Sequence, residues 1–246
     1  MRRQTLSFPT PWMNAAGTLG FLPAKGWSLP EEQGVFVTNP ISMAPRMPAS
    51  QRTVLSDRGS LLMHSGLPNP GLVSALRRYG KRWEKAPLPV WIHLIPQSPA
   101  ECRQMIQQVE NYTAVDAIEI SLPPHLSLED KQAFFPALDS ELPIILALPL
   151  NEGENFPIPL DRIDAVTLTT PRGLLPSPSG SLLEGRLYSS AIFPMMVYAV
   201  RRLNQRGVPV IVGAGVYRRI HARHLLQAGA LAIQFDTVLW KGFLND

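Results

Sequence analysis

Cysteine is nearly missing from this 246-residue chain, with Cys102 standing alone. No disulfide can form within the chain, and a zinc site built on four cysteines is excluded too. Such economy suits a reducing compartment, so a cytoplasmic protein is expected. Long hydrophobic runs are also missing. No stretch approaches the roughly 18 consecutive apolar residues of a membrane-spanning helix. No apolar run follows Met1-Arg2-Arg3, as a secretory signal would require. Charge is sparse: 17% of residues are charged and the formal net charge is +4. The pI near 9.5 is thus a mild bias, too weak for a nucleic-acid footprint. The basic pairs Arg77-Arg78, Arg201-Arg202 and Arg218-Arg219 fall in helical patterns and read as solvated faces. Neither nucleic acid nor membrane is expected as a partner.

Short catalytic signatures are absent as well. There is no G-x-S-x-G, H-E-x-x-H, P-loop or C-x-x-C. The histidines are scattered at 64, 93, 125, 221 and 224. Only His221 and His224 have helical spacing, and no acidic residue lies close to them, so no metal site is expected.

What the chain does have is alternation. Eight short apolar runs read as strands: Trp12–Ala16, Val35–Asn39, Val90–Leu94, Ala117–Ser121, Ile144–Leu148, Ala165–Thr169, Val210–Gly213 and Ala232–Phe235. Most are continuously apolar, as in parallel strands covered on both faces. Helical patterns fill most of the gaps. Pro70–Lys85 carries proline in its first turn. Ser98-Pro99-Ala100-Glu101 reads as a capping box, with Cys102, Met105, Ile106 and Val109 on one face behind it. Ser127 opens a further helix. Ala191–Gln205 and His221–Ala228 end at Gly207 and Gly229, residues suited to C-terminal caps. Eight strands alternating with helices predict an α/β (β/α)₈ barrel, with a doubly wound sheet as the alternative. A length of 246 residues is about that of one such barrel, and no repeat or linker interrupts it, so residues 1–246 form one expected domain. Proline is abundant at 25 residues, and many lie in two loops, Pro149–Pro159 and Pro171–Pro178. Both follow strands, on the face where barrel sites form.

Seven segments, in order, resemble the dihydroorotate dehydrogenase family. They are Ala15-Ala16-Gly17-Thr18-Leu19-Gly20, Val35-Phe36-Val37-Thr38-Asn39, Gly66-Leu67-Pro68-Asn69-Pro70-Gly71, Ile118–Pro123, Ala191-Ile192-Phe193-Pro194, Val212–Val216 and Ala228–Thr237. The third is the most specific, matching G-L-x-N-x-G. The resemblance implies a barrel that binds FMN at its mouth and oxidises dihydroorotate in pyrimidine synthesis. It would be an oxidoreductase acting on a CH–CH group, in which the cofactor carries the redox chemistry. Carried over by position, Ala16, Gly17, Thr38, Asn39, Thr170, Gly213, Ala214, Gly215 and Thr237 would meet FMN. Gly66, Leu67, Asn69 and Ser121 would meet substrate.

The departures fall on the chemistry. Asn39 stands for the lysine that ends the family's second strand, and Ala147 for the lysine of its fifth. Met63 stands for a substrate asparagine, and a thioether cannot replace an amide. In the fourth motif Glu119 stands for the first asparagine, Leu122 for the cysteine and Pro124 for the second asparagine. Thr169 stands for the asparagine of the sixth strand. At the phosphate end Val212 and Ala214 replace glycines, Tyr188 and Ser189 replace S-G, and Asp236 replaces the final glycine. Glu119 reads either as a base of raised pKa or as a partner for an arginine such as Arg172. His125 and His64 lie near the expected mouth. The expectation is a dihydroorotate dehydrogenase-like barrel not competent for dihydroorotate oxidation, a pseudoenzyme or partner-binding scaffold with no assigned catalytic residue. FMN or no cofactor, and a homodimer or another protein partner, both stay open. The alternatives are an altered FMN oxidoreductase and a flavin-free barrel enzyme for a phosphorylated substrate held by Gly213, Gly215, Arg218 and Thr237.

Overall fold

A computed structural model describes residues 4–23, 33–49, 54–153, 155–177 and 180–243. Met1–Arg3 and Pro178 of the segments read above lie outside the described residues. In chain order the strands are β1 (Trp12–Asn14), β2 (Phe36–Val37), β3 (Val54–Asp57), β4 (Ser60–Met63), β5 (Val90–Leu94), β6 (Ala117–Ser121), β7 (Ile144–Pro149), β8 (Ala165–Thr169), β9 (Arg172–Pro176), β10 (Leu182–Ser189), β11 (Val210–Val212) and β12 (Ala232–Phe235). The helices are α1 (Leu72–Trp83), α2 (Pro99–Glu110), α3 (Leu128–Gln132), α4 (Leu150–Gly153), α5 (Ile192–Gln205), α6 (Arg219–Gln227) and α7 (Val238–Lys241).

Eight of these strands pair in parallel in the order β1-β12-β11-β8-β7-β6-β5-β2. A parallel bridge from Met13 to Val35 joins the two ends of that sheet. The fold is a (β/α)₈ barrel, as the alternation predicts. Its helical layer is uneven. α1, α2, α5 and α6 are of ordinary length, whereas α3 and α4 have five and four residues.

The helices form where the sequence placed their signals. The Ser98 hydroxyl accepts a hydrogen bond from Glu101 N at 3.2 Å, and Cys102, Met105, Ile106 and Val109 of α2 are buried. Gly207 and Gly229 have φ of 72° and 109°, the left-handed geometry a helix stop needs.

Four further strands were not foreseen. β3-β4-β10-β9 form a separate antiparallel sheet. The second proline-rich segment, read as a loop, is therefore largely strand β9. These strands alternate poorly between apolar and polar residues because the sheet is half exposed, as in β3 with one buried residue of four. The β3–β4 turn is Arg58-Gly59, both at positive φ, and lacks the Asn-Gly or Asp-Gly signature of such turns.

Side chains alternate inward and outward along each barrel strand. The outward set packs against the helices. The inward set at the N-terminal end is wholly apolar: Met13, Val35, Val37, Trp91, Ala117, Ile145, Ala165, Ile211 and Ala232. Phe8 closes this end, edge-on to the Trp91 ring with centroids 6.2 Å apart. The next inward layer changes character, and there the site begins. No helix among the described residues is long and apolar enough to cross a membrane.

Trp91 fills the centre of the barrel floor, and its truncation leaves a cavity that rigid strands cannot close. Trp91→Ala should lose about 3–5 kcal/mol in urea unfolding, against about 1 kcal/mol for the helix-cap variant Ser98→Ala. Equal losses would contradict this account of the core.

Candidate functional site

Strand register builds the second inward layer. His93 of β5 is paired with Glu119 of β6. Thr167 of β8 and Gln234 of β12 lie in the same layer and reach the same carboxylate. Glu119 Oε1 accepts from Thr167 Oγ1 at 2.6 Å and from Gln234 Nε2 at 2.7 Å. Glu119 Oε2 lies 2.6 Å from His93 Nδ1. His93 and Glu119 are each 1% exposed. Burial alone would raise the Glu119 pKa; the hydrogen bonds and charge of His93, with the Thr167 and Gln234 donors, outweigh it and hold the pKa below its ordinary value. Glu119 is therefore a carboxylate and not a raised-pKa acid. Nor does it pair with Arg172, whose Nε donates to Glu184 Oε1 at 2.6 Å.

His93 and Glu119, though buried, also border the space above this layer. The far side of the imidazole meets Ser121, at the C-terminal end of β6, with Nε2 3.0 Å from Oγ. Above lies a cavity of about 460 Å³ at the C-terminal mouth of the barrel, within the usual range for small-molecule sites. Its walls include Ser121, His93 and Glu119 from the strands and Met63, Arg172, Arg186 and Tyr188 from the four-stranded sheet. That sheet thus roofs the mouth.

With this geometry in hand, comparison places the chain. No family model matches the sequence. A Pediococcus pentosaceus protein named for dihydroorotate dehydrogenase A (fumarate) is 27% identical over 254 aligned positions, covering 92% of this chain and 83% of that protein. The crystal structure of Eimeria tenella dihydroorotate dehydrogenase in complex with ferulenol superposes with a TM-score of 0.72, at 14% identity, over 96% of this chain and 78% of that one. The chain is thus similar in sequence to one dihydroorotate dehydrogenase-named protein and in fold to another.

The residues that the resemblance assigns to the site divide into two groups. Ala16, Gly17, Asn39, Gly66, Leu67, Ser121, Thr170, Gly213 and Thr237 border the cavity. Thr38, Asn69, Ala214 and Gly215 are not among its walls. Thr38 Oγ1 is turned to the backbone N–H of His93 at 3.0 Å. Asn69 serves its own loop: its amide donates to Ser42 Oγ and Leu67 O, and its Oδ1 accepts from Gly71 N at 2.9 Å. Those bonds hold the Gly66-Leu67 turn, where Leu67 takes φ of 53°, unusual for a residue with a side chain. Gly66 has φ of 75°, and a Cβ there would stand 2.7 Å from Ala49 N.

The end of the mouth where the resemblance would place a phosphate is packed from within. A Cβ on Gly213 would come within 3.0 Å of the Thr167 methyl, and one on Gly215 within 3.2 Å of Ile192. The Thr237 N–H is already taken by Asp236 Oδ1 at 2.5 Å. The other oxygen, Asp236 Oδ2, has no hydrogen-bond partner among the described residues. Burial pushes the Asp236 carboxyl up to about 7, against the pull of the Thr237 donors. The lone thiol plays no part at the mouth. Cys102 is buried on α2, and burial raises its pKa to about 12.

Reasoning from the sequence noticed Glu119, His93, His64 and His125 separately, and did not join the first two. The signal was present: His93, Glu119, Thr167 and Gln234 each put a polar side chain at an inward position of a mostly apolar strand. Arg186 was out of reach, because β10 was not foreseen; Tyr188 was read as a replacement at the phosphate end and not as part of a roofing sheet.

The Asp236 pKa sets a pH dependence. A carboxyl whose folded pKa is raised contributes its full stability at low pH and loses it as pH climbs through the folded value. Stability should therefore fall between about pH 4 and about pH 7 on account of this group. Asp236→Asn should raise the urea midpoint at pH 8 and leave it nearly unchanged at pH 4. An equal gain at both values would show that Asp236 is not the titrating group.

Proposed function

We propose that this barrel keeps the dihydroorotate dehydrogenase scaffold without dihydroorotate oxidation, and is a pseudoenzyme toward that reaction. The observation that carries the reading is Asp236. A flavin phosphate needs free N–H donors and no fixed negative charge beside it. In this chain the Thr237 N–H is held by the buried Asp236 carboxyl, whose second oxygen has no hydrogen-bond partner among the described residues. A phosphate dianion brought there would have to drive Asp236 further toward its protonated form.

The flavin side agrees. Asn39 is neutral where the family carries a lysine, and its Oδ1 accepts from Gly20 N at 3.0 Å, tying down the loop after β1. Ala147 offers no polar group at all. The glycines kept at this end are accounted for by close packing against Thr167 and Ile192. Gly185, kept from the same region, is accounted for by strand pairing, since a Cβ there would lie 2.6 Å from Met63 O. These residues do not fit FMN in the manner the family binds it, and no step through a flavin is derived.

Purified protein should be colourless, and dye-linked dihydroorotate oxidation with added FMN should not exceed a buffer-only control. Turnover above that control would sink the reading.

A further inference from the structure

The site described above contains a relay that dihydroorotate oxidation does not use. Ser121 Oγ lies 3.0 Å from His93 Nε2, and His93 Nδ1 lies 2.6 Å from Glu119 Oε2. We infer that Ser121, His93 and Glu119 form a nucleophile, base and orienting carboxylate able to cleave a small carboxylic ester held in the mouth cavity.

The hydrogen-bond inventory fixes the direction of the relay. An ionised carboxylate only accepts. Its Oε1 is filled by Thr167 and Gln234, both donors. Its Oε2 must then receive the proton on His93 Nδ1. In the neutral imidazole this leaves Nε2 bare, so it accepts the Ser121 hydroxyl proton. That is the tautomer in which a histidine acts as base toward a serine, with the carboxylate holding the ring. Two neighbouring strands, β5 and β6, lock the arrangement by register, so it does not depend on a mobile loop. The serine is the member nearest the opening. It is half-buried and borders the cavity, whereas His93 and Glu119 are screened beneath it.

The chemistry balances without a cofactor. Ser121 Oγ bonds to the ester carbonyl carbon as its proton passes to His93 Nε2, and the carbonyl π pair moves onto oxygen. Collapse breaks the bond to the alkoxy group, which leaves with the proton from His93. Water then attacks the acyl-serine, again giving its proton to His93, and the released Ser121 oxygen takes that proton back. Arg46, His64, His125, Arg172 and Arg186 border the same cavity and supply basic side chains near a developing oxyanion. Glu119 is a positioning residue throughout.

The test uses full-length protein and diisopropyl fluorophosphate, with the adduct located by mass spectrometry. Ser121 should be the labelled residue. His93→Gln should slow labelling about 100-fold or more, as should Glu119→Gln, with Glu119→Asp recovering part of the rate if the carboxylate acts by orienting the ring. Wild-type protein should also hydrolyse p-nitrophenyl acetate with a burst of p-nitrophenol, and Ser121→Ala should not. Folded wild-type protein left unlabelled at Ser121, or a His93→Gln variant labelled at the wild-type rate, overturns the assignment. A flavin-bearing, dihydroorotate-oxidising preparation would sink the reading of the preceding section and leave Ser121 to be judged by its own labelling.

Discussion

One buried carboxylate governs the interior of this barrel. Glu119 sits where an apolar floor gives way to a polar mouth, and three other strands supply its donors. A lone ion at that depth would be expensive to bury, and removing one member of such a set leaves the rest unpaired. Its three donors come from β5, β8 and β12, so the charge is satisfied only when the sheet has curled far enough to bring β12 across to β6. The carboxylate thereby ties correct closure of the barrel to the chemistry displayed at its rim.

Much of the fold was legible because parallel strands covered on both faces leave a plain mark. β5, β6, β8 and β12 have the bounds expected of them, since each is a short apolar run between turn residues. The Ser98 cap and the Gly207 stop are equally local, and local chemistry can be read from a sequence. The roof was illegible for the opposite reason. β4 and β10 are more than 100 residues apart in the chain, and their pairing of Met63 with Arg186 depends on the closed barrel beneath. Nothing near either strand announces the other.

The site was legible in part. Glu119 stood out as a carboxylate inside an apolar strand, but its partners became visible only through register, which sets His93 opposite it. Asn69 shows the converse. Its motif is the most specific in the chain, yet its side chain is spent on the turn that carries it. A motif can persist because a loop needs it. Gly185, Gly213 and Gly215 fall under the same account, each hemmed by neighbouring atoms. Several motif positions in this chain are thus explained by the backbone shapes they support.

The roof has a consequence of its own. Its two hairpins arise after β2 and after β8, which stand four places apart in a ring of eight. They meet over the mouth through β4 and β10, so the sheet crosses the opening along a diameter like the bar of a drain cover. The rim is left as two separate arcs. One lies above β5, β6 and β7, on the side of Ser121 and His125. The other lies above β11, β12 and β1, on the side of Asp236 and Thr237. The cavity beneath therefore has walls of unlike character on the two sides of the bar, a hydroxyl and imidazoles on one and a buried carboxyl on the other.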